Sequence, residues 1–209
     1  TMQNAFQGIT VLEVGTLTPG KFAGFLLSEW GADAVRIERP GGADDEVSNE
    51  DLLLNRGKRS ITLNLREPEG RDILLALARR ADVFMESYRP GVTARLGIDY
   101  DAVCGVNEAI VYCSLSGFGQ DGPDRLRPAF DLVFQAASGL SHLLTGPGRA
   151  PVPPRTFLAD AVSGLTAAFA MAAALRQRAA TGRGAHIDLS MLDAAVNLLA
   201  VSHGTRRDD

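Results

Sequence analysis

The 209-residue chain has two cysteines, Cys104 and Cys113, one tryptophan and an aromatic content of 6%, so it is poor in the side chains that staple small folds. Two thiols cannot build a disulfide framework, and the fold must be held by burial. Positive charge is not in excess. The 21 basic and 25 acidic side chains leave a net charge of −4, which argues against a broad nucleic-acid or anionic-membrane surface while permitting local anion sites. Lysine is nearly missing: Lys21 and Lys58 stand alone, and the other cations are arginines, a skew that also follows trivially from genomic base composition. His142, His186 and His203 lie far apart with no ligand at metal spacing, so no metal site is expected. No G-x-S-x-G elbow occurs, and neither cysteine lies where its pKa would be depressed. The chain opens with no charged and apolar leader pattern, and the expectation is a cytoplasmic protein. The longest weakly polar stretch, Leu158 to Leu175, contains Asp160 and is mostly alanine, serine and glycine; it reads as a buried helix that falls short of a membrane span.

What is present is a core. With 45% hydrophobic and 22% charged residues the chain is globular and able to bury roughly 70% of its unfolded surface. One domain over residues 1–201 is expected, with 202–209 an aperiodic tail. Strand patterns at Ile9 to Val14, Ala34 to Ile37, Ser60 to Leu65, Val83 to Met85, Ala109 to Ser114 and Ala185 to Leu189 alternate with helical spacings. The helices are expected through Phe22 to Trp30, Glu67 to Arg80, turns near Val92 to Leu96 and Tyr100 to Val103, Leu132 to Leu140, Thr156 to Arg178, and Met191 to Val201. Gly41 to Asp51 reads as a polar loop, and Gly117 to Pro154 as the glycine- and proline-rich place for ligand loops. Strand alternating with helix implies an α/β, doubly wound, Rossmann-like and mostly parallel sheet with helices on both faces.

Three features carry candidate chemistry. Gly15 to Lys21 has the G-x4-G-K spacing of a phosphate loop, but Phe22 stands where a magnesium-binding Ser or Thr is needed and Pro19 removes an N–H from the cradle. What remains is a glycine turn at a helix N-terminus, able to hold an anion or a carbonyl. Cations recur at strand ends: Arg36 and Arg39, then Arg56, Lys58 and Arg59, then Arg89 and Arg95. In a parallel sheet such ends line one crevice, so these clusters either converge on a polyphosphate or form a solvated rim. Asp160 opens the long alanine-rich helix, where the dipole and free N–H groups stabilise a carboxylate and small neighbours leave room for a ligand. Position alone favours an ordinary first-turn aspartate.

Seven segments, in order, resemble the class III CoA-transferases, the CaiB/BaiF family, which includes formyl-CoA and carnitine CoA-transferases and α-methylacyl-CoA racemases. They are Gly8 to Glu13, Leu27 to Gly41, Asn55 to Ile61, Ala81 to Val83, Arg89 to Gly97, Gly117 to Gln120, and Thr181 to Gly184 leading into Met191-Leu192-Asp193. Family members are normally about twice this long, so the resemblance implies the large-domain portion of the CaiB/BaiF fold, with the family's second domain absent. It places Asp160 at the catalytic aspartate, which attacks an acyl-CoA thioester to give a mixed anhydride and then an aspartyl-CoA thioester. CoA-contacting positions carry over to Arg39, Asn55, Arg56, Lys58, Arg95 and Arg127. Thr18 stands where formyl-CoA transferases hold the anhydride with a glutamine, and Asp131 where they have a functional acid or a cap.

Phe130 precedes Asp131 where the racemases carry a histidine, so transfer from an acyl-CoA to a carboxylic acid acceptor is expected over the alternative, racemase-like isomerisation. A non-catalytic CoA-binding remnant is the second alternative. The family's interlocked pairs imply a homodimer or a complementary second-half subunit, with apolar surface on Leu192 to Val201 expected to drive association. Coenzyme A enters as part of the substrate, and the isolated chain is expected to bind it weakly and to turn over poorly.

Overall fold

The computed structural model describes residues 4–15, 17–41, 48–145 and 148–203. Thr16 of the first glycine turn, residues 42–47 of the expected polar loop, residues 146–147 and the tail from 204 to 209 lie outside the described residues.

Among the described residues six strands form one sheet: β1 (Thr10–Val14), β2 (Asp33–Glu38), β3 (Arg59–Thr62), β4 (Val83–Glu86), β5 (Val111–Ser116) and β6 (Ala185–Ser190). Their spatial order is β3-β2-β1-β4-β5-β6, and every neighbouring pair is parallel. The sheet is thus wholly rather than mostly parallel. Parallel pairing demands crossovers, and helices therefore cover both faces, which is why β4 and β5 are buried along their whole length. Side-chain alternation divides the core in two. Val11, Val83, Met85, Val111, Cys113 and Leu115 point into one layer, and Leu12, Val14, Phe84 and Tyr112 into the other.

The first layer is closed by α1 (Thr18–Glu29), α6 (Asp131–Ser138), α8 (Leu158–Thr181) and α9 (Met191–His203); the second by α3 (Pro68–Ala78), α4 (Val92–Leu96) and α5 (Tyr100–Val106). Two short helices complete the chain, α2 (Asn49–Leu54) and α7 (Leu140–Thr145). Bounds shift at several elements, as at α1, which starts at Thr18 rather than Phe22, and β3, which ends at Thr62 rather than Leu65; three differences have a local cause. The pattern through Leu132 and Leu140 breaks into α6 and α7 because Gly139 takes φ 89° and ends the first helix. Helix α2 starts inside the expected loop, capped by Ser48, whose hydroxyl accepts from the Asp51 N–H at 3.0 Å. Helix α8 runs three residues further than expected, to a left-handed Gly182.

At 24 residues α8 is long and apolar enough to cross a bilayer, contrary to the expectation that it falls short, because a single aspartate does not offset its alanines, leucines and methionine. Here it is the central core helix. Ala159, Ser163, Gly164, Ala167, Ala168, Met171 and Ala174 are buried along it. Its approach to α1 is set by Gly164, where a Cβ would stand 2.8 Å from the Pro19 carbonyl oxygen. Its far end is pinned at the amino edge of the sheet, where Arg178 Nη2 donates to Asp82 Oδ1 at 2.7 Å while Asp82 Oδ2 accepts from the Thr10 N–H. A span of roughly 36 Å then carries its first turn, with Asp160, to the carboxyl edge.

Candidate active site

The strand order reverses between β1 and β4, and the crevice at this switch point is where open α/β sheets bind ligands. Two regions meet there. On the first-layer side, Asp160 sits in the first turn of α8, whose N-cap residue Phe157 offers no side-chain cap. The missing cap comes from another helix: the Asp160 N–H donates to Asp131 Oδ1 at 3.0 Å. Asp131 is buried, and its other oxygen accepts a short hydrogen bond from Gln135 Nε2, one turn along α6. Asp131 thus fills the capping role that its sequence position left open, and it does so beside the Asp160 carboxyl. Burial, then the Asp131 charge, then that of Glu50 push the Asp160 carboxyl up to about 7.

Thr18 opens α1 across from this turn and donates from Oγ1 to Glu50 Oε1 at 2.9 Å. Lys21, the lysine of the G-x4-G-K spacing, bonds Asp51 Oδ1 at 2.7 Å, and its backbone N–H bonds the Leu17 carbonyl within the helix start. The stretch is therefore the first turn of a helix with its lysine committed to α2, and the phosphate-loop reading falls.

The second region lies on the other side of the switch point. A groove of about 680 Å³ is lined by Arg39 and Pro40 after β2, Asn64 and Arg66 after β3, Tyr88 after β4, and Leu96 of α4. A neighbouring hollow of about 510 Å³ shares Leu65, Arg66 and Leu96 with it and adds Arg71 and Arg95. Arg39 and Arg95 are brought to one continuous surface. Arg66 and Arg71 join them unpredicted, although the strand-end rule that selected Arg39 applies equally to Arg66. One turn links the two regions: Tyr88 lines the groove, and its neighbour Ser87 lies so close to the start of α1 that a Cβ on Gly20 would meet its hydroxyl at 3.3 Å.

The Asn55 to Lys58 segment does not face that groove. Lys58 is placed away from it: its side chain is 1% exposed, and its ammonium bonds Glu13 Oε2 at 2.6 Å and the Lys21 carbonyl at 2.8 Å, under α1. Gly24 makes room for this pair, since a Cβ there would overlap the Glu13 carboxylate. Arg56 is likewise engaged on the α1 side, bonded to both Glu29 oxygens at 3.3 and 3.1 Å and stacked 4.3 Å over Phe25. Asn55 ends α2 and donates from Nδ2 to Asp51 at 3.4 Å. Arg127 is exposed in the loop before α6, 3.7 Å from Asp124 and 5.6 Å over Phe118, outside the groove's lining.

A third polar cluster was not legible at all. Glu86, buried at the end of β4, accepts from the Tyr88 N–H at 2.8 Å, and burial raises its carboxyl to about 7. The adjacent Ser114 contacts His186 Nε2 at 3.1 Å, so one of the three isolated histidines acquires a partner through strand register.

Comparison with known proteins agrees with this architecture. The family model of CoA-transferase family III matches residues 6–207. The acetyl-CoA:oxalate CoA-transferase of Acetobacter aceti is 40% identical over 204 residues, covering 93% of this chain and 52% of that protein. The succinyl-CoA:glutarate CoA-transferase of Homo sapiens is 37% identical over 205 residues, covering 93% and 47%. Among solved structures, a CaiB/BaiF family protein from Brucella suis superposes with a TM-score of 0.88 at 33% identity, covering 95% of this chain and 56% of that one. The chain spans about half the length of the curated relatives it matches.

Proposed function

We propose that this chain, which belongs to CoA-transferase family III, forms the CoA-binding and catalytic half of an acyl-CoA:carboxylate CoA-transferase. The observation that carries the reading is Asp160: a carboxyl in the first turn of α8, at the carboxyl edge of the sheet and partly withdrawn from water, whose backbone N–H is capped by Asp131, with the Ser87-Tyr88 turn leading from α1 to an arginine-lined groove.

In this reading the groove takes the phosphorylated nucleotide end of CoA through Arg39, Arg66 and Arg95, because guanidinium forks match phosphate oxygens, while Arg71 is bonded to Asp72 at 3.1 and 2.9 Å. The pantetheine arm passes the Ser87-Tyr88 turn and delivers the thioester to Asp160. An Asp160 oxygen attacks the thioester carbon, the C–S bond breaks, and CoA leaves as thiolate, giving a mixed anhydride. The thiolate then attacks Asp160 Cγ, releasing the donor acid as its carboxylate and leaving an aspartyl-CoA thioester. The acceptor carboxylate attacks that thioester, and the freed thiolate takes the acceptor's carbonyl, so the acceptor leaves as its CoA ester and Asp160 is regenerated. No water enters and no net proton is consumed. Isomerisation lacks the histidine that the family's racemases carry before the aspartate, since Phe130 stands there and its phenyl ring cannot exchange a proton.

Oxalate, glutarate and malate name acceptors of relatives; for this chain the acceptor class is a small carboxylic acid. Its macromolecular partner is a second copy of the chain or a complementary polypeptide. The test is intact-mass and peptide analysis after mixing with acetyl-CoA or succinyl-CoA. An acyl or CoA adduct on the peptide containing Asp160, removed by hydroxylamine and missing in Asp160→Ala, supports the reading. CoA binding with no adduct under any condition overturns it in favour of a non-catalytic binding domain.

A further inference from the structure

Glu50 reaches the site by a route that only the fold reveals. Helix α2 is short, and it lies on α1 with Lys21 as the clasp: the ammonium bonds Asp51 at 2.7 Å and stands 3.8 Å from Glu50 Oε1. Ser48 fixes the start of α2 from the other side, bonding Asp51 Oδ2 at 2.8 Å. So docked, α2 presents the Glu50 carboxylate to Thr18 at 2.9 Å. We propose that Glu50 is a positioning residue for the acyl transfer: clasped by Lys21, it fixes the Thr18 hydroxyl at the start of α1, the helix that packs on α8 one turn beyond Asp160. The proposal rests on the assignment of Asp160 as nucleophile.

Two consequences follow from the chemistry. The hydroxyl of Thr18 has a single proton and spends it on Glu50, so Thr18 meets a ligand as an acceptor and is not itself the donor to an oxyanion developing at the anhydride. A carboxylate nucleophile also gains reactivity with basicity while its ionised form remains populated. Asp160 faces like charge from two elements, Asp131 on α6 and Glu50 on α2, while Glu50 itself faces Lys21 and Thr18 on α1 and Asp51 on its own helix. The clasp therefore controls how much negative charge Asp160 meets: undocking α2 withdraws one of the two.

The test combines side-chain carboxyl NMR with the adduct assay on the whole chain, using Glu50→Gln and Glu50→Asp, with Asp160→Asn to assign the resonance. Glu50→Gln is expected to move the Asp160 titration to lower pH, to shift the pH midpoint of adduct formation the same way, and to slow adduct formation several-fold, with CoA affinity unchanged. Glu50→Asp keeps the charge and restores most of each effect. Thr18→Val, which removes the hydroxyl and keeps the charge, leaves the midpoint in place and slows only the rate. Adduct formation in Glu50→Gln with the midpoint and titration of the wild type overturns the proposal alone. Failure of the wild type to form any adduct overturns the nucleophile assignment, and this inference with it.

Discussion

On one side of the switch point Arg39, Arg66, Arg71 and Arg95 border an open groove; on the other, Asp131 of α6 caps Asp160 at the start of α8 and Glu50 of α2 holds Thr18 at the start of α1. The Ser87-Tyr88 turn lies between the two sides, their electrostatics are opposed, and in the proposed reading each suits one end of one CoA ester. Exposed guanidiniums bind a polyanion at little desolvation cost, whereas a carboxylate nucleophile gains basicity from burial and like charge. A net charge of −4 hides this division entirely, which is why a whole-chain balance excludes a broad polyanion surface but not a local one.

The sharpest way to break the contrast is to remove the proposed nucleophile. Asp160→Ala is expected to reduce adduct formation roughly 10³-fold or more while leaving CoA affinity intact, measured by intact mass and calorimetry. On the groove side, Arg39→Ala or Arg66→Ala should weaken CoA binding by about 10- to 100-fold, in line with about 1.5–3 kcal/mol for a charged hydrogen bond, and should spare the Asp160 titration. Equal weakening by Arg56→Ala would contradict the assignment of that residue to Glu29 and Phe25.

A pH experiment reaches the third cluster. The Glu86 carboxyl is raised from 4.5 to about 7 by burial, so the folded chain binds its proton more tightly than the unfolded chain does. Stability from this group is full below the ordinary carboxylate range and declines as pH climbs to about 7, by about 3 kcal/mol. Asp160 acts in the same direction. Glu86→Gln, followed by denaturant unfolding between pH 4.5 and 8, should flatten that decline; an unchanged slope would place its origin elsewhere. The smallest effect is expected from Asp131→Ala, which costs about 1 kcal/mol as a lost cap and lowers the Asp160 titration midpoint.

The sheet and its covering helices were legible because strand alternation and helix spacing are local. What escaped was local too, but weak: α2 is six residues long and its Ser48 cap sits among other polar residues, while Leu140 fits the period of α6 although Gly139 ends it. The site was less legible. Asp160 stood out by resemblance, not by pattern. Lys58 lies in the resembling segment, but only the tertiary packing of β1 against α1 reveals that Glu13 holds it underneath. Glu50 and His186 act through partners 32 and 72 positions away, which no single-sequence spacing rule detects.

The claim that the groove and the carboxylate edge are two ends of one ligand site is tested most directly by amide NMR titration with CoA and with adenosine 3′,5′-bisphosphate. The bisphosphate is expected to shift amides at Arg39, Arg66 and Arg95 only, and CoA to shift these together with Thr18, Gly20 and Ala161. CoA that leaves the Thr18 and Ala161 amides unmoved while saturating the groove would contradict the claim.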